Sequence, residues 1–210
     1  MPVDLLVPVK QLAKAKTRLR GKTNGAPEEH ARLVLALVRD TLTAATGAAV
    51  VRRVVAICSD EAVCRALAAD GVETIPDEPA AGLNPALRYG EAVLRQADPS
   101  ATIGALQADL PALRPEELDC AVRIGLATGG RVFCTDRAGT GTTLLLASPG
   151  QSLKPCFGSG SAASHRATRA RELTGHWPGL RCDVDTAADL AVARDLGLGR
   201  FTALLVSATG

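Results

Sequence analysis

Aromatic side chains are scarce in this sequence. One Trp, one Tyr and three Phe make up 2% of its 210 residues. Platforms that stack nucleic-acid bases are built from such rings, so this function is disfavoured. Charge of one sign is scarce as well. Twenty-four Lys and Arg against 22 Asp and Glu leave a net +2, too little for a field that draws a protein onto nucleic acid. No uninterrupted apolar stretch is long enough to span a bilayer. The opening MPVDLLVPVK has no basic leader ahead of an apolar signal core. No membrane partner is expected, and the cytoplasm is the expected location.

Several familiar motifs are missing. Cys58, Cys64, Cys120, Cys134, Cys156 and Cys182 form no C-x-x-C and no zinc-ligand spacing, so they are expected to be small buried hydrophobes in a reducing compartment. His30, His165 and His176 make no metal spacing either. GKT at 21–23 suggests a P-loop, but that pattern needs a glycine where Lys16 stands. No G-x-G-x-x-G follows the first apolar run, and no G-x-S-x-G elbow serves a hydrolase triad.

What is present is a 47% hydrophobic chain in which apolar runs alternate with helical patterns. Strands are predicted at 3–9, 50–58, 72–76, 101–108, 131–136, 142–147 and 179–184. Helices are predicted at 27–47, after Ser59 as a cap, after Asn84 as a cap with Pro85 at the first position, from Pro115, at 162–175 and at 186–199. This alternation predicts an α/β fold with a mostly parallel central sheet flanked by helices, as one domain over 1–210. Ligands of such sheets bind beyond the carboxyl ends of the strands.

Candidate chemistry gathers at those ends. In GALQADLPALRP, an apolar strand stops at Asp109, and Leu110–Pro111 prevents a helix from following. One such Asp can cap a turn or hold a hard cation such as Mg²⁺. In RCDVDTAADL, Asp183 and Asp185 stand two apart, and strand alternation would send both to one face. Neighbouring carboxylates repel unless a cation or a proton lies between them. Thr186 with Asp189 resembles a capping box, which explains Asp185 but leaves Asp183 without a role. GTGTT (139–143) and FGSGS (157–161) read as turns or as phosphate cradles. The segment 9–22 carries Lys10, Lys14, Lys16, Arg18, Arg20 and Lys22. It reads as a solvated charge run or as a lid over a triphosphate.

Six stretches in order, VPVKQLAKAKTRL, GLNPALRYGE, LQADLPALRPEEL, GTGTTLL, FGSGSAASH and WPGLRCDVDTAADL, resemble the phospholactate/phosphoenolpyruvate guanylyltransferases of deazaflavin coenzyme F-420 biosynthesis. The resemblance implies a single nucleotidyltransferase-like, Rossmann-like domain. It also implies transfer of GMP from GTP to the phosphate of a three-carbon acid, with release of pyrophosphate. It associates actinobacterial members with phosphoenolpyruvate, archaeal ones with 2-phospho-L-lactate and some other bacterial ones with 3-phosphoglycerate. The Arg- and Ala-rich composition and WPGLRCDVDT favour phosphoenolpyruvate here. Carried over by motif, Asp109, Asp183 and Asp185 are expected to hold Mg²⁺. Thr142, Gly158 and Ser161 are expected to bind phosphoenolpyruvate. Lys10, Lys16 and Arg18 are expected at the GTP phosphates, Lys10 with a catalytic part, and Leu83 and Asn84 near the base. The product is expected to pass to the next transferase of the pathway. Molybdopterin guanylylation is disfavoured, because that family has a Gly-rich LAGG-type loop where this chain reads VPVKQLAKAK.

Overall fold

The computed structural model describes residues 2–9, 19 and 27–208. Its centre is β1 (Val3–Pro8), flanked on both sides by parallel strands. One side carries β2 (Val51–Ile57) and then β3 (Glu73–Ile75); the other carries β4 (Thr102–Leu106). Beyond β4 the direction changes. β5 (Arg131–Thr135) and β6 (Thr142–Ala147) form a hairpin, and it is β6 that pairs antiparallel with β4. A two-residue strand, β7 (Arg171–Glu172), pairs parallel with β5 at the far edge. The order is β3-β2-β1-β4-β6-β5-β7 in one sheet. Four of its pairings are parallel, as expected from the strand–helix alternation.

The inner strands read as continuous apolar runs because both faces of the sheet are covered there. Alternation sorts their side chains between two cores. Val3, Leu5, Val54, Ala56, Leu144 and Leu146 pack on one face, and Leu6, Val55, Ile57, Leu145 and Ala147 on the other. The first face meets α1 (Pro27–Gly47), α2 (Glu61–Ala69) and α4 (Pro115–Thr128) through residues such as Leu42, Leu67 and Val122. The second meets α3 (Leu83–Ala97) and α5 (Ser161–Ala167) through Leu87, Leu94 and Ala162. A third cluster lies away from the sheet. There Leu33 and Leu37 of α1 meet Val184, and Leu190 and Ala193 of α6 (Ala187–Leu196). Among the described residues no helix is long and apolar enough to cross a membrane.

The structure corrects several local expectations. Asp60, not Ser59, caps α2, and its carboxylate accepts from the Ala62 and Val63 N–H groups. Ser59 Oγ instead accepts from Asp77 N–H. Asn84 is the second residue of α3, whose N-cap is Gly82. The helix predicted over 162–175 ends at Ala167. The His165 carbonyl takes the Thr168 and Ala170 N–H groups, Arg169 adopts a positive φ of 66°, and the chain leaves as β7. No strand forms at 179–184. Cys58, Cys134 and Cys182 are buried as expected, but Cys120 is exposed.

A further helix, α7 (Arg200–Ala208), has no counterpart among the predicted elements. Its opening residues offer no cap. The cap comes from Asp40, a nearly buried residue of α1, which accepts from Phe201 N–H at 2.9 Å and Thr202 N–H at 2.8 Å. A carboxylate at a helix N-terminus satisfies orphan donors and the positive end of the dipole together. Asp40→Ala is expected to cost about 2 kcal/mol. Urea unfolding checks this: the midpoint should fall with an unchanged slope.

Candidate active site

The carboxyl end of β4 fixes the first functional side chain. One step beyond the strand, Gln107 N–H still pairs with the Thr143 carbonyl. Leu110 is then fully buried, and its N–H donates to Thr41 Oγ1 at 2.8 Å. The Thr41 hydroxyl also lies 3.2 Å from the Ala108 carbonyl. Leu113 N–H closes on the Leu110 carbonyl at 3.0 Å, turning the chain through Pro111–Ala112. Asp109 stands between two anchored neighbours, at the sheet edge where ligands of such folds bind.

The segment 179–186 is brought to it by different means. Glu117, in the first turn of α4, accepts from Gly179 N–H at 3.2 Å and Leu180 N–H at 2.9 Å. These donors are therefore lost to any sheet ladder, which is why the expected strand is absent. Gly179 lies so close to the 107–113 loop that a Cβ there would sit 2.2 Å from the Ala112 carbonyl oxygen. Val184 N–H then donates to the Asp109 carbonyl at 3.1 Å. Backbone anchoring, not strand alternation, thus places Asp183 beside Asp109. Burial pushes the Asp183 carboxyl up to about 7, and the charges of Asp109, Asp136 and Asp185 add to the shift. Asp185 is exposed. Thr186 caps α6 in a capping box with Asp189, as its spacing implied. Capping is therefore done by Thr186 and Asp189, and Asp183 has no part in it.

Asp136 was not singled out in the sequence. It directly follows β5, and its carboxylate accepts from Thr140 N–H at 2.9 Å and Gly141 N–H at 2.8 Å, closing the β5–β6 hairpin. The signal was available as an Asp before a Gly-rich turn in TDRAGTG. Arg181 was missed too. Its guanidinium donates to Thr135 Oγ1 at 2.7 Å and to the Asp136 carbonyl at 3.2 Å. Nearby, Arg137 pairs with Asp189 at 3.0 Å.

The same hairpin carries Thr142, and α5 with the loop before it carries the other two predicted acceptor residues. Thr142 opens β6, and Ser161 opens α5; both are buried. Ala162 N–H donates to the Thr140 carbonyl at 3.0 Å and ties the two elements together. Gly158 has φ 137°, a conformation that L side chains rarely adopt. The loop before it is held by Asn84, whose Nδ2 donates to the Phe157 carbonyl at 2.9 Å and whose Oδ1 accepts from Phe157 N–H at 2.8 Å. Asn84, expected near the base, thus spends both ends of its amide on the loop that carries Gly158. Leu83 begins α3 and packs on the second core. Lys10, Lys16 and Arg18 lie outside the described residues.

Among the described residues, no three His, Cys, Asp or Glu side chains are gathered tightly enough to enclose a metal ion. The donor set is nevertheless right for a hard cation. Asp109, Asp183 and Asp185 offer only oxygen, and their mutual repulsion at Asp183 is the kind a cation relieves. Mg²⁺ usually takes one or two carboxylates and completes its shell with water and substrate phosphates.

Known proteins match this chain along nearly its whole length. The Geodermatophilus obscurus protein named phosphoenolpyruvate guanylyltransferase is 47% identical over 97% of this chain and 93% of its own. Proteins of the same name from Salinispora arenicola (48% identity, 96% of this chain and 92% of its own) and Streptomyces scabiei (46%, 97% and 95%) are similar. Among solved structures, a nucleotide-diphospho-sugar transferase from Desulfovibrio desulfuricans superposes with a TM-score of 0.72 at 19% identity, covering 99% of this chain and 95% of its own. A Methanothermobacter nucleotidyl transferase gives 0.58 at 16% identity, covering 92% and 96%. These two likenesses show a nucleotidyltransferase-like fold. Residues 3–191 match the family described as guanylyl transferase CofC like, and the chain belongs to that family.

Proposed function

We propose that the protein transfers GMP from GTP to the phosphate of phosphoenolpyruvate, giving enolpyruvyl-diphospho-5'-guanosine and pyrophosphate. The observation that carries this is the near full-length similarity, at 46–48% identity, to proteins named phosphoenolpyruvate guanylyltransferase. The site's chemistry agrees. A phosphate oxygen of the acceptor attacks the α-phosphorus of GTP, and the bond to the pyrophosphate oxygen breaks. Both reactants are anions, so the protein's task is to hold them in line against their repulsion.

Asp109, Asp183 and Asp185 would hold Mg²⁺. When bound, the ion supplies positive charge to the phosphate oxygens of both substrates. Thr142, Gly158 and Ser161 would bind the acceptor, with hydroxyls and backbone N–H groups turned to its anionic groups. Arg181 is fixed at the end of β5 by the Thr135 hydroxyl and the Asp136 carbonyl. Lys10, Lys16 and Arg18 would face the GTP phosphates. Leu83 would lie near the base, and Asn84 would set the loop that bridges the base and acceptor sides. The setting is coenzyme F-420 biosynthesis in the cytoplasm, with the product passed to the next transferase.

The test is pyrophosphate release with GTP and Mg²⁺, run separately with phosphoenolpyruvate, 2-phospho-L-lactate and 3-phosphoglycerate, with mass detection of the product. Release is expected with phosphoenolpyruvate. Preference for another of the three would overturn the acceptor and keep the reaction. Silence with all three would overturn the reaction.

A further inference from the structure

We propose that His165 is a positioning residue for acceptor binding: its buried ring fixes the direction of the Thr142 hydroxyl and clamps the loop ahead of Gly158. The inference rests on the reading that Thr142 binds the acceptor.

The ring is fully buried, between Phe133 (centroids 5.7 Å apart) and the edge of Phe157 (5.1 Å). Both of its nitrogens are used. Cys156 N–H donates to Nε2 at 3.0 Å, and Nδ1 lies 2.9 Å from Thr142 Oγ1. A backbone N–H can only donate, so Nε2 must be the lone-pair nitrogen. The proton of a neutral imidazole then sits on Nδ1, and Nδ1–H donates to Thr142 Oγ1. Burial, reinforced by the Arg131 charge, lowers the ring's pKa to about 4 and keeps it neutral.

This polarity decides what Thr142 can do. Its oxygen has accepted a hydrogen bond from the ring, so its own O–H cannot point at the ring and is left to donate elsewhere. The chain runs one way, from Cys156 N–H through the imidazole to the Thr142 hydroxyl, and ends in a donor suited to an oxyanion. A carboxylate in place of the ring, which can only accept, would let the hydroxyl turn inward. The same contact serves the neighbouring loop. Consecutive N–H groups of Cys156 and Phe157 are captured by His165 and Asn84, which sets the approach to Gly158.

The experiment is steady-state kinetics on Thr142→Val, His165→Leu, His165→Asn and the double variant Thr142→Val/His165→Leu, with KM measured for each substrate. Thr142→Val and His165→Leu are each expected to raise the acceptor KM about tenfold or more, with the GTP KM changed less than about twofold. The double variant should be no worse than the poorer single one, because the valine leaves no hydroxyl to orient. His165→Asn, which can offer an amide N–H to Thr142, should recover most of the loss. An unchanged acceptor KM in Thr142→Val would remove the underlying reading. A raised KM there with a normal one in His165→Leu would reduce His165 to core packing and overturn this proposal. Additive losses would do the same for the chain through Thr142. Nitrogen-15 NMR of histidine in the native protein gives a reading independent of any variant's folding. Nδ1 should stay protonated and Nε2 unprotonated from about pH 5 to 8, and the reverse tautomer overturns the proposal.

Discussion

Asp183→Asn is expected to lower turnover by about 10³-fold or more while making the metal-free protein more stable above neutral pH. Both effects have one origin. Asp183 is held against Asp109 by a backbone bond between Val184 and the Asp109 carbonyl, and its carboxyl titrates near 7 because burial and three nearby carboxylates oppose its charge. A folded-state pKa above the unfolded value means that the folded protein holds this proton more tightly. Stability from this group is therefore full below about pH 4, falls as the pH rises towards 7, and stays lost above it. Asparagine removes that burden and keeps the shape. At pH 8 the variant's melting temperature should exceed that of the native protein, and at low pH the gap should close. Adding Mg²⁺ should raise the native melting temperature at pH 8 and leave the variant nearly unmoved. Pyrophosphate release and thermal unfolding at the two pH values check the pair. Near-native turnover in the variant would remove Asp183 from the metal-holding set.

Glu117→Ala is expected to reduce turnover about 10²-fold although both Glu117 carboxylate oxygens are engaged by backbone N–H groups. Its carboxylate is the fastening of the 179–186 segment, through the N–H groups of Gly179 and Leu180. Losing it leaves two donors short of an acceptor and frees the segment that carries Asp183 and Asp185, at a cost of about 2 kcal/mol. Glu116, one residue earlier and exposed, provides the control, and Glu116→Ala should be close to native in both respects. Gly179→Ala should resemble Glu117→Ala, since its methyl would drive into the Ala112 carbonyl. Denaturant unfolding separates the stability cost from the kinetic one. Full turnover in a destabilised Glu117→Ala would mean that the carboxylates keep their places without this fastening.

The inner strands β1, β4, β5 and β6 were legible because each is a largely buried apolar run, whereas β7, two exposed charged residues inside a predicted helix, was not. The helix at 27–47 was legible because Pro27, Glu28 and Glu29 announce a helix start. Thr186 with Asp189 was equally plain, since both partners of the box lie within one turn. Apart from Asp136, whose partners lie four and five residues on, what escaped notice depends on partners far along the chain. α7 takes its cap from Asp40, 161 residues before Phe201, and no local pattern records that. The segment 179–184 has strand composition, but Glu117 takes the N–H groups a ladder would need. Asp109 and Asp183 were visible as individual carboxylates. Their approach to one another is a backbone bond between two loops, which spacing alone cannot encode. The bond of the Asn84 amide to the loop at Phe157, 73 residues away, was likewise not visible in the sequence.

The reversal of direction between β4 and β6 has a consequence for how such a protein diversifies. The four parallel strands come from residues 3–106, and the three on the other side of the seam come from residues 131–172. On the proposed reading, the first part handles the nucleotide and the second the acid that receives it. On that reading, the two vocabularies of recognition are written in consecutive stretches of one gene, and within the sheet they meet at one antiparallel seam. Exchange of the later stretch would then change the acceptor, while the earlier stretch would go on handling the same triphosphate.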